Sequence, residues 1–394
     1  REREEMSRRL LTAAVLLLAA AGIQPAGAVT SFRAAGIDVR HKGLVRSVLT
    51  SGGTVAFPLV PSDRYVYDLQ RVRSDWLFTF RRCLSLSLVY DQQAEAGGYL
   101  STFEYRTFTL VKPVELVNLD SRIYGRGEFL WRHRLYRAYV EYDNGPVRFT
   151  AGRQQVSWGT GYFWNPTDLF NPVTFALVES QERFGADVAS LEVGVGTLSQ
   201  VQAVWAWGAS PQTARGALRF RTNLAHYDFS VMAGKFFRDK VIGADFSGQV
   251  RGAGLRGEWL HSFSDSRKDY DQLVVGWDYR FSGSLIVTAE YLFNSGEMTA
   301  EELITSVVRS RAGGVLSTSS HLAGLYADYQ AHPLVHLTGY ASVDLERGGL
   351  FLGPRFSWSV TQNTSLEAGA LLSSGGGEFE LLEDTYYCSL SWYF

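Results

Sequence analysis

The stretch EDTYYCSLSWYF, Glu383 to Phe394, decides the fold. Tyr386, Cys388, Leu390, Trp392 and Phe394 alternate with Tyr387, Ser389, Ser391 and Tyr393. The first set is apolar and the second small or hydroxylated, so the strand they form has one greasy face and one wet face. Water-soluble domains usually finish in a few frayed polar residues. Here the alternation continues to Phe394.

The same period recurs along the chain. In LYRAYVEYDNGPVRFTAGRQ, Leu135 to Gln154, the residues Tyr136, Ala138, Val140 and Tyr142 oppose Arg137, Tyr139 and Glu141. Asn144-Gly145 supplies the expected two-residue turn, because both residues tolerate positive φ. Val147, Phe149 and Ala151 then resume the apolar face opposite Arg148 and Thr150. Leu273, Val275, Trp277 and Tyr279 repeat the pattern, as do Leu285, Val287, Ala289, Tyr291 and Phe293. Val335, Leu337, Gly339, Ala341 and Val343 oppose His336, Thr338, Tyr340, Ser342 and Asp344.

A soluble sandwich also alternates, with its apolar faces meeting inside. The connections separate the two architectures. Short ones, such as Gly196 to Ser199, Phe281 to Gly283 and Thr361 to Asn363, alternate with long ones at Gln92 to Trp131, Val156 to Phe184, Ser295 to Ser319 and Ser373 to Asp384. Short turns at one rim and long loops at the other are the pattern of a membrane barrel. Aromatic residues at strand ends, among them Tyr142, Phe293, Trp358, Trp392 and Phe394, fit interfacial girdles. After Ala28 no stretch approaches the roughly 20 apolar residues of a membrane helix, which leaves closed strands as the spanning solution. The expected fold is all-β: a transmembrane antiparallel barrel of about 18 strands, with 16 as the alternative. A barrel of that size encloses an aqueous lumen.

The first residues read differently. From Met6, MSRRLLTAAVLLLAAAGIQPAGA has a basic start, an apolar run from Leu10 to Ala21 and the small-residue site Ala26-Gly27-Ala28. Residues 1–28 are expected to be a signal peptide, with a mis-assigned start before Met6, and 29–394 a single barrel domain. The net charge of -2 excludes the basic excess of a nucleic-acid binder. Cys83 and Cys388 fall on opposite faces, and no CxxC or CxxCH occurs, so no cofactor and no metal site is assigned. The acidic loop residues, such as Glu297, Glu378 and Glu380, read as solvated charges.

With the polar parity inward, the candidate lumen-lining residues are Arg137, Glu141, Arg148, Arg219, Arg221, Asp278, Arg280, Glu290, Asp328, Asp344 and Arg355. Asp68, Glu192, Asp228, Asp245, Arg256 and Glu258 are assigned to the same face. Both signs occur, with cross-strand pairs expected between Glu141 and Arg148 and between Arg280 and Glu290. No cationic ring of the kind that makes a pore strongly anion-selective is seen.

One connection stands apart: GRQQVSWGTGYFWNPTDLFNP, Gly152 to Pro172. Gly159 and Gly161 permit close backbone approach or positive φ. Asn165-Pro166 is placed to start a short helical turn, with Asp168 near its N-terminus and Asn171-Pro172 ending it. Val156 to Phe184 is therefore expected to be a structured loop folded into the barrel.

Arg153, Gln154, Trp158, Gly159, Gly161, Asn165, Pro166 and Asp168 together resemble the motif of a group of porin-like bacterial outer-membrane barrels, which carry GRQ…WG.G…NPTD after an early hairpin. Tyr386, Leu390, Trp392 and Phe394 are similar to the aromatic signal read by the barrel-assembly machinery. The resemblance implies the bacterial outer membrane as location, lipid and lipopolysaccharide as surroundings, and no catalytic residue. Passive diffusion of small hydrophilic solutes is the leading function. A sheath or scaffold for a periplasmic or electron-transfer partner is the alternative. An outer-membrane hydrolase is less well supported, since none of the seven histidines lies in a nucleophile motif.

Overall fold

The computed structural model describes residues 30–34, 36–55, 62–110, 116–171, 185–208, 213–265, 267–299, 302–303 and 315–394. The expected signal peptide lies outside the described residues, as does Pro172. The alternation of the sequence becomes a closed antiparallel sheet of eighteen wall strands. Each strand pairs with its neighbours in sequence, and Ile37–Gly53 closes the ring against Thr385–Tyr393. Among the described residues no helix is long and apolar enough to cross a membrane. The crossing is made by strands.

Closure is necessary because an open edge would leave a row of backbone donors and acceptors in lipid, where each costs several kcal/mol (on the order of 2–7). The seam runs in register from Gly52 opposite Thr385 to Leu44 opposite Tyr393. Phe394 extends it by one exchange, donating to the Gly43 carbonyl at 3.0 Å and accepting from the Gly43 amide at 2.6 Å. Its ring covers the Gly43 backbone so closely that a Cβ there would lie 2.2 Å from the ring. Trp392 stacks on it at 4.9 Å. A further strand, Thr30–Ala34, pairs with Ile37 to His41 beyond the point where Phe394 stops.

One parity faces outward. Trp205, Leu218, Phe220, Val231, Val275 and Trp277 are all exposed large apolar side chains, an area far larger than a soluble monomer leaves uncovered. They form the lipid-facing band. Cys388 lies on this face, and both cysteines are free.

Three local readings change. The turn after Phe129–Asp143 contains three residues, and of these only Gly145 has positive φ, at 94°. Asn144 serves it through its side chain, accepting the Val147 amide at 3.0 Å. Second, a bulge opposite Val89 and Tyr90 pairs these with Arg137 and Leu135 and skips Tyr136. Tyr136 is thereby buried beneath the Arg73 guanidinium, 4.6 Å from its ring centre, instead of joining the lipid face. Third, Asp68 pairs in register with the exposed Leu49, so it faces outward with Gln70. Near a rim the outer face meets polar headgroups, and polarity there no longer marks the interior.

A Gly43→Val substitution is expected to oppose closure by displacing the Phe394 ring. In a heat-modifiability gel the folded, fast-migrating fraction falls, and the double variant Gly43→Val/Phe394→Ala regains part of it. An unchanged folded fraction in the single variant would count against this account of the seam.

Candidate functional site

After Val147–Gln154 the chain leaves the wall, and residues 155–171 run through the interior. Their contacts place them there. Trp158, Leu169 and Phe170 join a buried cluster with Val188, Val204, Met232 and Leu260. Phe163 and Trp164 join another with Val274, Leu292, Phe351 and Leu371. A segment can touch strands from Ala186–Val195 round to Thr364–Ser374 only from inside the ring. Apolar residues on the inward parity, which an empty aqueous lumen would not favour, are explained by this cover.

The segment is held by two wall carboxylates. Glu258 accepts hydrogen bonds from the amides of Thr160, Gly161 at 2.6 Å and Thr167 at 3.2 Å, and from the Thr167 hydroxyl at 2.9 Å. Glu290 accepts from the amides of Tyr162, Phe163 at 2.7 Å and Trp164 at 3.5 Å. Both are almost fully buried. A buried carboxylate without compensating bonds would be very costly. Here each is solvated by backbone donors that the irregular segment would otherwise leave unpaired. The two needs satisfy each other.

The glycines make the approach possible. Gly159 has φ of 88°, and a Cβ on it would lie 2.6 Å from the Glu258 carboxylate. A Cβ on Gly161 would lie 1.9 Å from the Trp164 carbonyl oxygen. Asn165 and Asp168 close a single turn through the Asp168 amide and Asn165 carbonyl at 3.0 Å, at the place where a short helical turn was expected. The path is too short and too closely bound to Glu258 to propagate a helix. Asn171 draws the two ends together by accepting the Val156 amide at 2.7 Å. Trp158 donates its indole N–H to Gln202 at 2.9 Å. Arg153 and Gln154 sit at the root, where Arg153 pairs with Asp187 at 2.8 Å and also donates to the Val117 carbonyl.

The lumen candidates divide by level. Arg137 donates to Gln155 at 2.6 Å at the base of the inserted segment. Arg219 donates to Ser230 and Asp245 and lies 5.6 Å from the Trp158 ring centre. Arg355 lies 3.8 Å from Glu367, and Asp278 pairs with Arg256. Arg256 also donates to the Thr160 carbonyl at 3.2 Å, beside a cavity of about 310 Å³ lined by Thr160, Ser247, Gly254 and Asp278. Toward the short-turn rim, Arg148 and Arg221 remain 48% and 46% exposed, so the lumen there is wet. Asp328 meets His336 at 3.2 Å. Asp344 is fully buried under rim loops, accepting the amides of Glu346, Arg347 and Glu378.

The expected cross-strand pairs do not form. Glu141 is opposite Thr150, and Arg148 pairs with Asp143 at 2.8 Å and Glu192 at 3.5 Å. Glu290 is opposite Gly276, and Arg280 caps its own turn by donating to the Gly283 carbonyl. Sequence symmetry about a turn does not set register when turns and bulges add residues.

A second interior network escapes the sequence reading. Asp91 and Glu95, both fully buried, meet Arg73 at 2.6 Å and Arg132 at 2.6 Å respectively. Above them the long connection opens with Gly98–Ser101 and a short helix, Phe103–Leu110, from which the Tyr105 hydroxyl reaches Glu95 at 3.1 Å. The strand Leu84–Gly97 therefore extends past Gln92, where a loop was expected. The signal was available as matching parity between Arg71, Arg73 and Asp91, Glu95, but apolar neighbours obscured it.

Among solved structures, the chain is similar to OccD3 (OpdP) of Pseudomonas aeruginosa, with a TM-score of 0.54 at 10% identity over 94% of each chain. It is similar to the outer membrane protein OpdK of the same bacterium, with a TM-score of 0.56 at 7% identity over 91% of this chain and 99% of that one. OccK7 (OpdD), also of Pseudomonas aeruginosa, gives 0.56 at 9% identity over 92% and 99%. No protein-family model and no curated protein matches the chain. At these identities the likeness is one of fold, and that fold is a large closed antiparallel β-barrel.

Glu258→Ala should leave buried amides without acceptors, a loss of about 3 kcal/mol in the attachment of the segment. Hydrogen exchange at Thr160, Gly161 and Thr167 is then expected to accelerate on the order of 100-fold. Unchanged protection would show that the apolar clusters alone hold the segment.

Proposed function

We propose that the protein is a porin-like channel of the bacterial outer membrane, through which small hydrophilic solutes diffuse passively. One observation carries the reading. A closed eighteen-strand barrel encloses a lumen that is wet and doubly charged in sign at the short-turn end, and a segment fastened inside narrows it without a covalent tie. A wall of this size surrounds water unless chain fills it. The inserted segment sets the constriction, and the mixed charges of Arg219, Asp245, Arg256 and Asp278 beside it favour weak selectivity. The Gly152 to Asp168 motif is read as the mark of porin-like barrels that carry such an insertion.

The terminal strand is read as the assembly signal. Tyr386 and Leu390 present exposed side chains on the lipid face, and Trp392 and Phe394 stack at the seam. Phe394→Ser is expected to lower the amount of folded barrel in the outer membrane while leaving export intact, measured by fractionation and heat modifiability.

Reconstitution into planar bilayers tests the channel. Discrete conductance steps are expected, with a cation-to-anion permeability ratio within about threefold of unity. Glu258→Ala/Glu290→Ala should give larger or noisier steps, since the constriction loses its anchors. Silence from a folded preparation would overturn the channel.

A further inference from the structure

Lysine is scarce in this chain and unevenly placed. Of the 38 basic residues five are lysines, and three of these, Lys235, Lys240 and Lys268, lie on or between neighbouring strands. Lys235 on Tyr227–Phe236 and Lys240 on Asp239–Val250 are direct cross-strand partners beside the turn Phe237-Arg238. Both are exposed, on the same parity as Val231 and Ile242, so they point away from the lumen. Lys268 is exposed in the next connection of that rim. Like charges directly opposite on a sheet, with Cβ atoms about 5 Å apart, repel each other. The closed wall gains nothing from that repulsion.

The surroundings of the pair are ordered. Trp205, Gly216, Lys235, Lys240 and Phe263 are successive partners in one outward row across the wall. A Cβ on Gly216 would lie 2.5 Å from the Trp205 ring, so that ring covers the backbone next to Lys235. Trp205 is 49% exposed and Phe263 45%. The next outward row, further from the turn, holds Leu218, Ala233 and Ile242. Two ammonium groups between aromatic flanks thus stand directly above an apolar field. The turns Ala225-His226 and Arg251-Gly252 mark the short-turn rim, which puts Phe237-Arg238 at the rim of the long connections. In a membrane barrel that rim meets the outer leaflet.

The carboxylates of this corner are engaged elsewhere. Asp239 shares the inner parity of Val241 and accepts the Ser264 hydroxyl at 3.2 Å and the Asp265 amide at 3.0 Å. Asp265 meets Arg238 at 3.6 Å, and Asp269 accepts the Ser264 amide at 3.0 Å. Asp271, on the outer face, accepts the Trp259 indole N–H at 3.0 Å and lies 2.9 Å from His261. An anion placed between Lys235 and Lys240 turns their repulsion into attraction. A phosphate suits them, because its several oxygens accept from two compact ammonium groups at once. The apolar row beneath adds that the phosphate belongs to a lipid, whose chains cover Leu218 and Ile242.

We propose that Lys235 and Lys240 together bind one phosphate of a phosphorylated outer-leaflet lipid, on the outside of the wall between Trp205 and Phe263. The site faces away from the lumen, so it goes beyond the channel reading and does not depend on conduction. It is tested by native mass spectrometry of the full folded barrel in nonionic detergent. The probes are bisphosphorylated lipid A, the same lipid without its phosphates, and inorganic phosphate. Lipid A is expected to bind saturably, at least roughly tenfold tighter than the dephosphorylated lipid. Inorganic phosphate at the same concentration does not displace it. Lys235→Gln/Lys240→Gln, checked as the fast-migrating folded form, weakens lipid A binding at least roughly tenfold. Lys235→Arg/Lys240→Arg keeps both charges and stays within about threefold, as does Lys42→Gln beside the seam. Equal binding of the two lipids, or undiminished binding by the glutamine variant, overturns the site. Displacement by inorganic phosphate at the lipid's own concentration assigns the lysines to free phosphate and overturns the lipid. A folded protein that never conducts overturns the channel and leaves this site standing.

Discussion

Everything in this molecule depends on the requirement that no backbone donor or acceptor be left open to lipid. A sheet meets it only by closing on itself, and closure here comes down to Ile37–Gly53 meeting Thr385–Tyr393. The final exchange is between Gly43 and Phe394. Once the ring is closed, strand parity divides every side chain between lipid and lumen. The outer set is chosen for apolar area. The inner set is free to carry charge or to receive an inserted segment.

The interior applies the same rule at a second level. Residues 155–171 have no ladder to satisfy their amides, so they borrow acceptors from the wall. Glu258 and Glu290 supply them and avoid the cost of an unsolvated buried charge. Hydrogen bonds to charged groups contribute about 1.5–3 kcal/mol each, more than neutral ones, so two carboxylates anchor a segment that lacks regular structure. The apolar clusters on either side of the barrel then determine where it lies. The result is an inserted segment whose position is set by side chains far away in sequence.

Charge inside the barrel is organised in layers. Near the short-turn rim it is exposed and mixed, as in Arg148 with Asp143 and Glu192. At the level of the inserted segment it is buried and paired, as in Arg219 with Asp245 and Arg73 with Asp91. Pairing removes the strong single-sign field that would select one ion class.

The alternation in Glu383 to Phe394, and its repetition along the chain, determined by themselves that this is a barrel of about 18 strands with 16 as the alternative, and the closed sheet decided for eighteen. Period-two patterning is local, and lipid allows few ways to satisfy it. The glycines and NPTD of Gly152 to Asp168 likewise announced a tightly folded insertion. Register and depth were not legible. The skipped Tyr136, the outward Asp68 and the true partners of Arg148 follow from bulges and rim position, which shift faces without altering composition. Glu258 and Glu290 looked like any wall acids, because the amides that define them are 97 and 127 residues away. Only the closed ring brings those amides to the carboxylates. Neither local pattern nor propensity encodes a meeting across a lumen.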